Sequence, residues 1–166
     1  MARVVYTVGD DVSTDIIYPG RFMATVLPTE TPQHAFADDP AFGAKVKAGE
    51  VRQGSVLVAG RNFGCGSSRE QACSCLKGYE LTVVARGFAR IFLQNSINLG
   101  LRLVIAPDVE ASEGDELEIE ADRVVSRTTG RAFAVVPLPK ARQEIIDAGG
   151  LIPYTRKRVL EAAGRG

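Results

Sequence analysis

The stretch GRNFGCGSSREQA, residues 60–72, sets two adjacent hydroxyls, Ser67 and Ser68, between a glycine-rich turn and Arg69. Gly64 and Gly66 allow a backbone to approach a ligand closely. Arg69 offers a planar fork suited to a carboxylate or a phosphate. The same residues also obey capping rules. Ser67-x-x-Glu70 and Ser68-x-x-Gln71 are capping boxes in adjacent registers, and either would start the helix that follows. A helix start presents free N–H groups and the positive end of the dipole, so a cap and an anion site can be one object. Neither G-x-x-x-x-G-K-[ST] nor the dinucleotide fingerprint is present, which leaves the nucleotide reading weak. A carboxylate held by Arg69 and the helix start, with a serine nearby, is at least as good.

A serine that acts as nucleophile or base needs an activator. The chain has one histidine, His34, far off in a proline-rich segment. A triad would have to draw on His34 and either Asp15 or Asp38, all distant in sequence, and G-x-S-x-G is absent. The three cysteines, Cys65, Cys73 and Cys75, are spaced C-x7-C-x-C. That matches neither zinc nor iron–sulfur spacings, so small buried thiols are expected and no metal site on this chain. A second stretch, GDDVSTDIIYPGRFM, carries Thr14 and Asp15, which could cap a turn, and Arg21, placed to reach a ligand. The apolar Phe22, Met23 and Ala24 that follow suggest a substrate pocket or a partner surface.

These residues need a scaffold. RVVYTV (3–8), SVLVAG (55–60), ELTVVA (80–85) and LRLVIA (101–106) read as short apolar strands. SREQACSCLKG reads as a helix ending at Gly78 as its C′ glycine. GFARIFLQNSINLG reads as a second, with Phe88, Ile91, Phe92, Ile97 and Leu99 on its stripe. Strands alternating with helices imply crossovers and a parallel core. The prolines at 19, 28 and 32 mark a long irregular loop. After Pro107, DELEIEAD alternates like a half-exposed strand. Two more strands flank Thr129-Gly130, and two helices divide near Gly149-Gly150. The expectation is one α/β domain over 1–166, with a parallel core and substrate loops over about 1–107 and a hairpin with C-terminal helices over about 108–166.

Lys plus Arg number 20 and Asp plus Glu number 20, so charge gives no argument for nucleic acid or an acidic membrane. No apolar run has the length of a membrane span, and the first residues lack a signal-peptide pattern. Clustered, odd-numbered cysteines suit a reducing compartment, and a cytoplasmic location is expected.

Taken together, GDDVSTDIIYPGRF, GRNFGCGSSRE and ARGFARIFLQNSINLGL resemble the small subunits of isopropylmalate isomerase (3-isopropylmalate dehydratase), the swivel domain of the aconitase superfamily. The resemblance is good over about residues 5–105. It implies a swivelling β/β/α fold with a mixed sheet, a parallel core and helices packed on it. It implies a hydro-lyase subunit of leucine biosynthesis, active only with a large subunit, as a heterodimer or heterotetramer. That large subunit would carry a [4Fe–4S] cluster on its own cysteines, which accounts for an anion loop without metal ligands. By the same resemblance, Ser67 matches the catalytic serine that takes a proton from the carbon beside a carboxylate. Ser68 and Arg69 match carboxylate-binding residues, Thr14 and Asp15 help to build the site, and Phe22, Met23, Ala24 and Thr25 occupy the specificity loop.

Two departures stand out. Gln71 replaces a histidine common in relatives, and the loop lacks an arginine often found there. Met23 and Ala24 favour an apolar substituent, as in isopropylmalate, dimethylmalate or citramalate, and disfavour homoaconitate. The competing class is a non-catalytic anion-binding protein.

Overall fold

The computed structural model describes residues 1–164. Seven strands form one sheet: β1 (Ala2–Thr7), β2 (Val56–Ala59), β3 (Thr82–Ala85), β4 (Arg102–Ile105), β5 (Glu116–Ile119), β6 (Arg123–Ser126) and β7 (Ala132–Ala134). Their order is β4-β3-β2-β1-β5-β6-β7. The first four are parallel, as the alternation of strands and helices requires, and β5 joins β1 antiparallel. The strands after Pro107 therefore extend the main sheet. Six α-helices accompany the strands: α1 (Thr14–Ile17), α2 (Pro40–Lys47), α3 (Glu70–Gly78), α4 (Arg90–Leu99), α5 (Lys140–Asp147) and α6 (Leu151–Ala163).

The two ends of the sheet meet. The Val136 N–H donates to the Ile105 carbonyl at 2.8 Å in an isolated antiparallel bridge, so the sheet curls back on β4. Neighbouring residues of a strand face opposite sides, and the two sides become two cores. Val4, Val56, Val58, Val84 and Val104 point inward to meet Leu117, Val124 and Phe133, all from the sheet and its loops. Val5, Leu57, Ala59, Val83, Ala85 and Leu103 point outward, where Ile17, Phe36, Phe42, Ala72, Leu76 and Phe92 cover them. Strand layer, strand layer and helix layer follow from that division, which is the expected β/β/α arrangement. β2 and β3 are buried on both faces, and this is why β2 reads as an unbroken apolar run and β3 as one broken only by the buried Thr82.

Several local expectations change. Neither serine caps α3: its N-cap is Arg69, with no side-chain cap bond, and Ser67 and Ser68 lie upstream of it, Ser67 in a bend. Gly78 is not a C′ residue either. It is the last residue of α3, and a Cβ there would lie 2.1 Å from Pro32 Cγ, so packing excludes a side chain. The proline-rich loop holds α1, capped by Ser13, and two 3-10 turns, Gly20–Phe22 and Thr31–His34. Ile91, expected on the buried stripe of α4, is 51% exposed.

Gly100 ends α4 with φ +75°, as its position after Leu99 suggests. A Cβ on it would fall 2.3 Å from the backbone carbon of Gly149, in the turn between α5 and α6. Lys77 straps the same junction by donating its ammonium to the carbonyls of Leu99 and Gly149. Among the described residues, no helix is long and apolar enough to cross a membrane. Gly100→Ala combines left-handed strain with a backbone clash, so it should cost about 2 kcal/mol or more of stability. A thermal melt reads this as a lowered midpoint, and an unchanged midpoint would contradict the packing described.

Candidate active site at the carboxyl edge of the parallel strands

The loops leaving β1, β2 and β3 meet at the carboxyl ends of the parallel strands, where open α/β sheets bind ligands. They do not hang free. Gly64 N–H donates to the Val12 carbonyl at 2.8 Å, and Thr14 N–H donates to the Cys65 carbonyl at 2.8 Å. On the other flank, Phe63 N–H donates to Gly87 and its carbonyl accepts from Ala89, at 3.0 and 2.9 Å. The parallel ladder thus continues past the strand ends as bridges Ser13–Cys65 and Phe63–Phe88. Gly64, at φ +83°, comes so close to α4 that a Cβ would sit 2.2 Å from Phe92 Cγ. Gly66, at φ +95°, has no such neighbour, and its backbone conformation alone calls for glycine.

This lacing brings Ser67 to Thr14. The Thr14 hydroxyl donates to the Ser67 carbonyl at 2.9 Å, and the two side-chain oxygens are 3.3 Å apart. With its one hydrogen so used, Thr14 can only accept from Ser67. Thr14 is buried and Ser67 and Ser68 are exposed. Asn95 of α4 reaches the Ser68 carbonyl at 3.5 Å.

Arg69 follows two residues later, with its side chain 19% exposed. Its Nη1 donates to Asp15 Oδ1 and, at 3.1 Å, to the Tyr18 carbonyl. Its Nε and Nη2 hydrogens have no protein acceptor among the described residues. Asp15 also accepts the Gly20 N–H at 3.0 Å. The bond from Arg69, then the one from Gly20, hold the Asp15 carboxyl below its ordinary range.

The other expected residues are more dispersed. Arg21 forms a two-point pair with Asp38, Nη1 to Oδ2 at 2.9 Å and Nη2 to Oδ1 at 2.5 Å, and lies 4.5 Å over the Phe22 ring. Both carboxyl and guanidinium are exposed, and the pair lowers the Asp38 carboxyl. His34 stacks on the other side of Phe22, with ring centres 3.9 Å apart, and makes no serine triad. Met23 and Ala24 are exposed and Phe22 and Thr25 half-buried. Ile16, Val26 and Leu27 are exposed apolar residues of the same stretch.

Cys73 and Cys75 are buried in α3, one against Ser96 of α4, and burial pushes the Cys73 thiol up to about 12. Among the described residues no cluster of His, Cys, Asp or Glu is placed to hold a metal.

Two partners escaped the sequence reading. Tyr18, fully buried, and Gln71, in the first turn of α3, both hold the backbone of residues 22–25. A tyrosine before proline in an apolar run gave no sign of that, and Gln71 stood out only as a departure from relatives.

The fold and this arrangement define a swivel domain of the aconitase type: the Aconitase C-terminal domain family matches residues 25–107. Relatives narrow the class. The small subunit of 3-isopropylmalate dehydratase from Moorella thermoacetica is 44% identical over 160 residues, covering 93% of each chain. The isopropylmalate/citramalate isomerase small subunit of Methanocaldococcus jannaschii is 42% identical over 164 residues, covering 95% of each. A crystal structure of 3-isopropylmalate dehydratase from that organism superposes with a TM-score of 0.89 at 39% identity, over 99% of this chain and 98% of the other. The chain belongs to the family of 3-isopropylmalate dehydratase small subunits, which are subunits of hydro-lyases.

Because the Asp15 carboxyl is depressed by Arg69, the pair contributes in full above the ordinary Asp value and is lost as pH falls through the lower, folded value. A carboxyl-carbon NMR titration should therefore place Asp15 below the model-peptide value of about 3.9. In Arg69→Gln the midpoint should climb back towards it; no movement would mean that Arg69 is not what holds Asp15.

Proposed function

We propose that this chain is the small subunit of a cytoplasmic hydro-lyase of leucine biosynthesis. The enzyme interconverts 2-isopropylmalate and 3-isopropylmalate by dehydration and rehydration, together with a large iron–sulfur subunit. The observation that carries the reading is Arg69, tied by one nitrogen to Asp15 and Tyr18 while Nε and Nη2 stay free, two residues after an exposed Ser67 that is held by Thr14, the chain neighbour of Asp15. A half-anchored fork is pre-aimed, so little entropy is lost when it takes up a carboxylate. Ser68 adds a second hydroxyl on the same chain turn.

In this reading Ser67 moves the proton at the carbon beside that carboxylate. A serine hydroxyl is a poor base in water, and its alkoxide needs positive potential in a site closed to solvent. Arg69 supplies the charge. Thr14 fixes the Ser67 backbone and, as an acceptor, orients the hydroxyl hydrogen away from the carbonyl. Closure must come from outside, because Ser67 is open to solvent here. A [4Fe–4S] cluster held by the large subunit would supply the Lewis acid that helps the substrate hydroxyl leave. The exposed Ile16, Met23, Val26 and Leu27 border the site, as a surface covered in the complex would.

Met23 and Ala24 give the 22–25 loop apolar side chains and no cation. This favours an alkyl substituent over a third carboxylate, and citramalate is the second substrate that fits it. The relative whose name includes citramalate is 42% identical.

Reconstitution with the large subunit under anaerobic conditions tests this directly. Activity should appear only in the mixture; turnover by this chain alone would refute the assignment. Ser67→Ala should leave the complex assembled and lower kcat by a factor of about 100 or more. A near-normal kcat would reduce Ser67 to a structural residue. Arg69→Lys replaces a fork with a point charge, so KM should rise and kcat fall together.

A further inference from the structure

The loop of residues 22–25 is held through its backbone, from two sides. Beneath it, the Tyr18 hydroxyl shares its hydrogen between the carbonyls of Phe22 and Thr25, at 3.1 and 3.2 Å. From α3, the Gln71 side-chain amide donates to the Met23 carbonyl at 3.2 Å. One anchor is bonded to Arg69 and the other is its near neighbour in the chain. Tyr18 receives Arg69 Nη1 on its own carbonyl at 3.1 Å, and Gln71 follows Arg69 by two residues at the start of α3.

One end of the loop has further support, since the Phe22 ring is packed between His34 and Arg21. The carbonyls of Met23 and Thr25 have no such ring beside them and rely on Tyr18 and Gln71. Capture by main-chain carbonyls leaves the Met23 and Ala24 side chains free of the anchoring, and both are exposed.

We propose that Tyr18 and Gln71 are positioning residues for substrate selection, setting the distance between the Arg69 fork and the apolar wall formed by Met23 and Ala24. This rests on the reading of residues 22–25 as the specificity loop. A substrate anchored at Arg69 then meets the wall at a fixed reach, and the size of its alkyl group decides the fit. In a well-formed apolar pocket one methylene is worth about ten-fold or more in kcat/KM. A wall that drifts loses that advantage for the larger group first.

The test is steady-state kinetics of the reconstituted two-subunit enzyme on isopropylmalate and on citramalate, whose substituents are isopropyl and methyl. Tyr18→Phe removes only the hydroxyl, and Gln71→Ala only the amide. Each should raise KM for isopropylmalate and cut the isopropyl-to-methyl ratio of kcat/KM about five-fold or more, with kcat on citramalate largely kept. Gln71→His, which retains an N–H donor, should restore the ratio. Met23→Ala serves as the control on the loop itself. If Met23→Ala shifts the ratio and the anchor variants do not, the positioning role is wrong and the loop reading stands. If Met23→Ala leaves the ratio unchanged, the loop does not select, and the proposal falls with it. Equal losses on both substrates in Tyr18→Phe and Gln71→Ala would make the anchors merely structural and overturn the proposal. A complex that turns over neither substrate would refute the proposed function, and this inference with it.

Discussion

Gly64 stands where three loops and a helix converge, and the absence of its side chain lets them meet. With a Cβ, the turn between β2 and α3 would be pushed off Phe92 by more than an ångström. The hydrogen bond from Gly64 to Val12 would then stretch, and with it the one from Thr14 to Cys65, since both lie on the same two segments. Thr14 holds Ser67, and Asp15 holds Arg69. Each functional side chain therefore depends on a close backbone approach made upstream. The positive φ at Gly64 and Gly66 is not ornament of a flexible loop: it is how the chain turns from a buried strand to an exposed pair of serines without losing its ladder.

The site so built is polarised but unfinished. Ser67 has the Thr14 hydroxyl as its side-chain partner and no base bonded to it, and Arg69, two residues on, is already paired with Asp15. The positive potential expected from a helix N-terminus is weaker than a capping serine would receive. The helix begins three residues later, and its first residue is Glu70. The positive charge nearest to Ser67 along the chain is then Arg69. A second subunit that excludes water would strengthen that single charge more than any change within this chain could.

Much of the fold was legible because its signals are local. Apolar runs such as VLVA and TVVA, separated by helices of α3 and α4 length, imply parallel strands with crossovers. Gly100 and Gly130 both adopt the positive φ that their positions suggest. The curl of the sheet was not legible, because the bridge between Ile105 and Val136 joins residues far apart in sequence and carries no local mark. The capping boxes misled for a physical reason. A serine two or three residues before a helix satisfies the pattern, but here Ser67 is held by Thr14 ahead of the helix, and the cap falls on Arg69. Arg69 and Asp15 were recognisable as residue types. Their contact, across loops that follow different strands, was not. Tyr18 was least legible of all, since its role depends on where Phe22 and Thr25 turn their carbonyls.

The pairing of Arg69 with Asp15 also shapes how an anion would find this pocket. A bare guanidinium draws any passing anion over a Debye length, sulfate and chloride included. Here the field is largely cancelled at long range by a carboxylate already in contact. What remains is a short-range donor pattern, legible only to a molecule that arrives with the right shape. Such a pocket gives up speed of capture and gains indifference to the ionic composition of its surroundings.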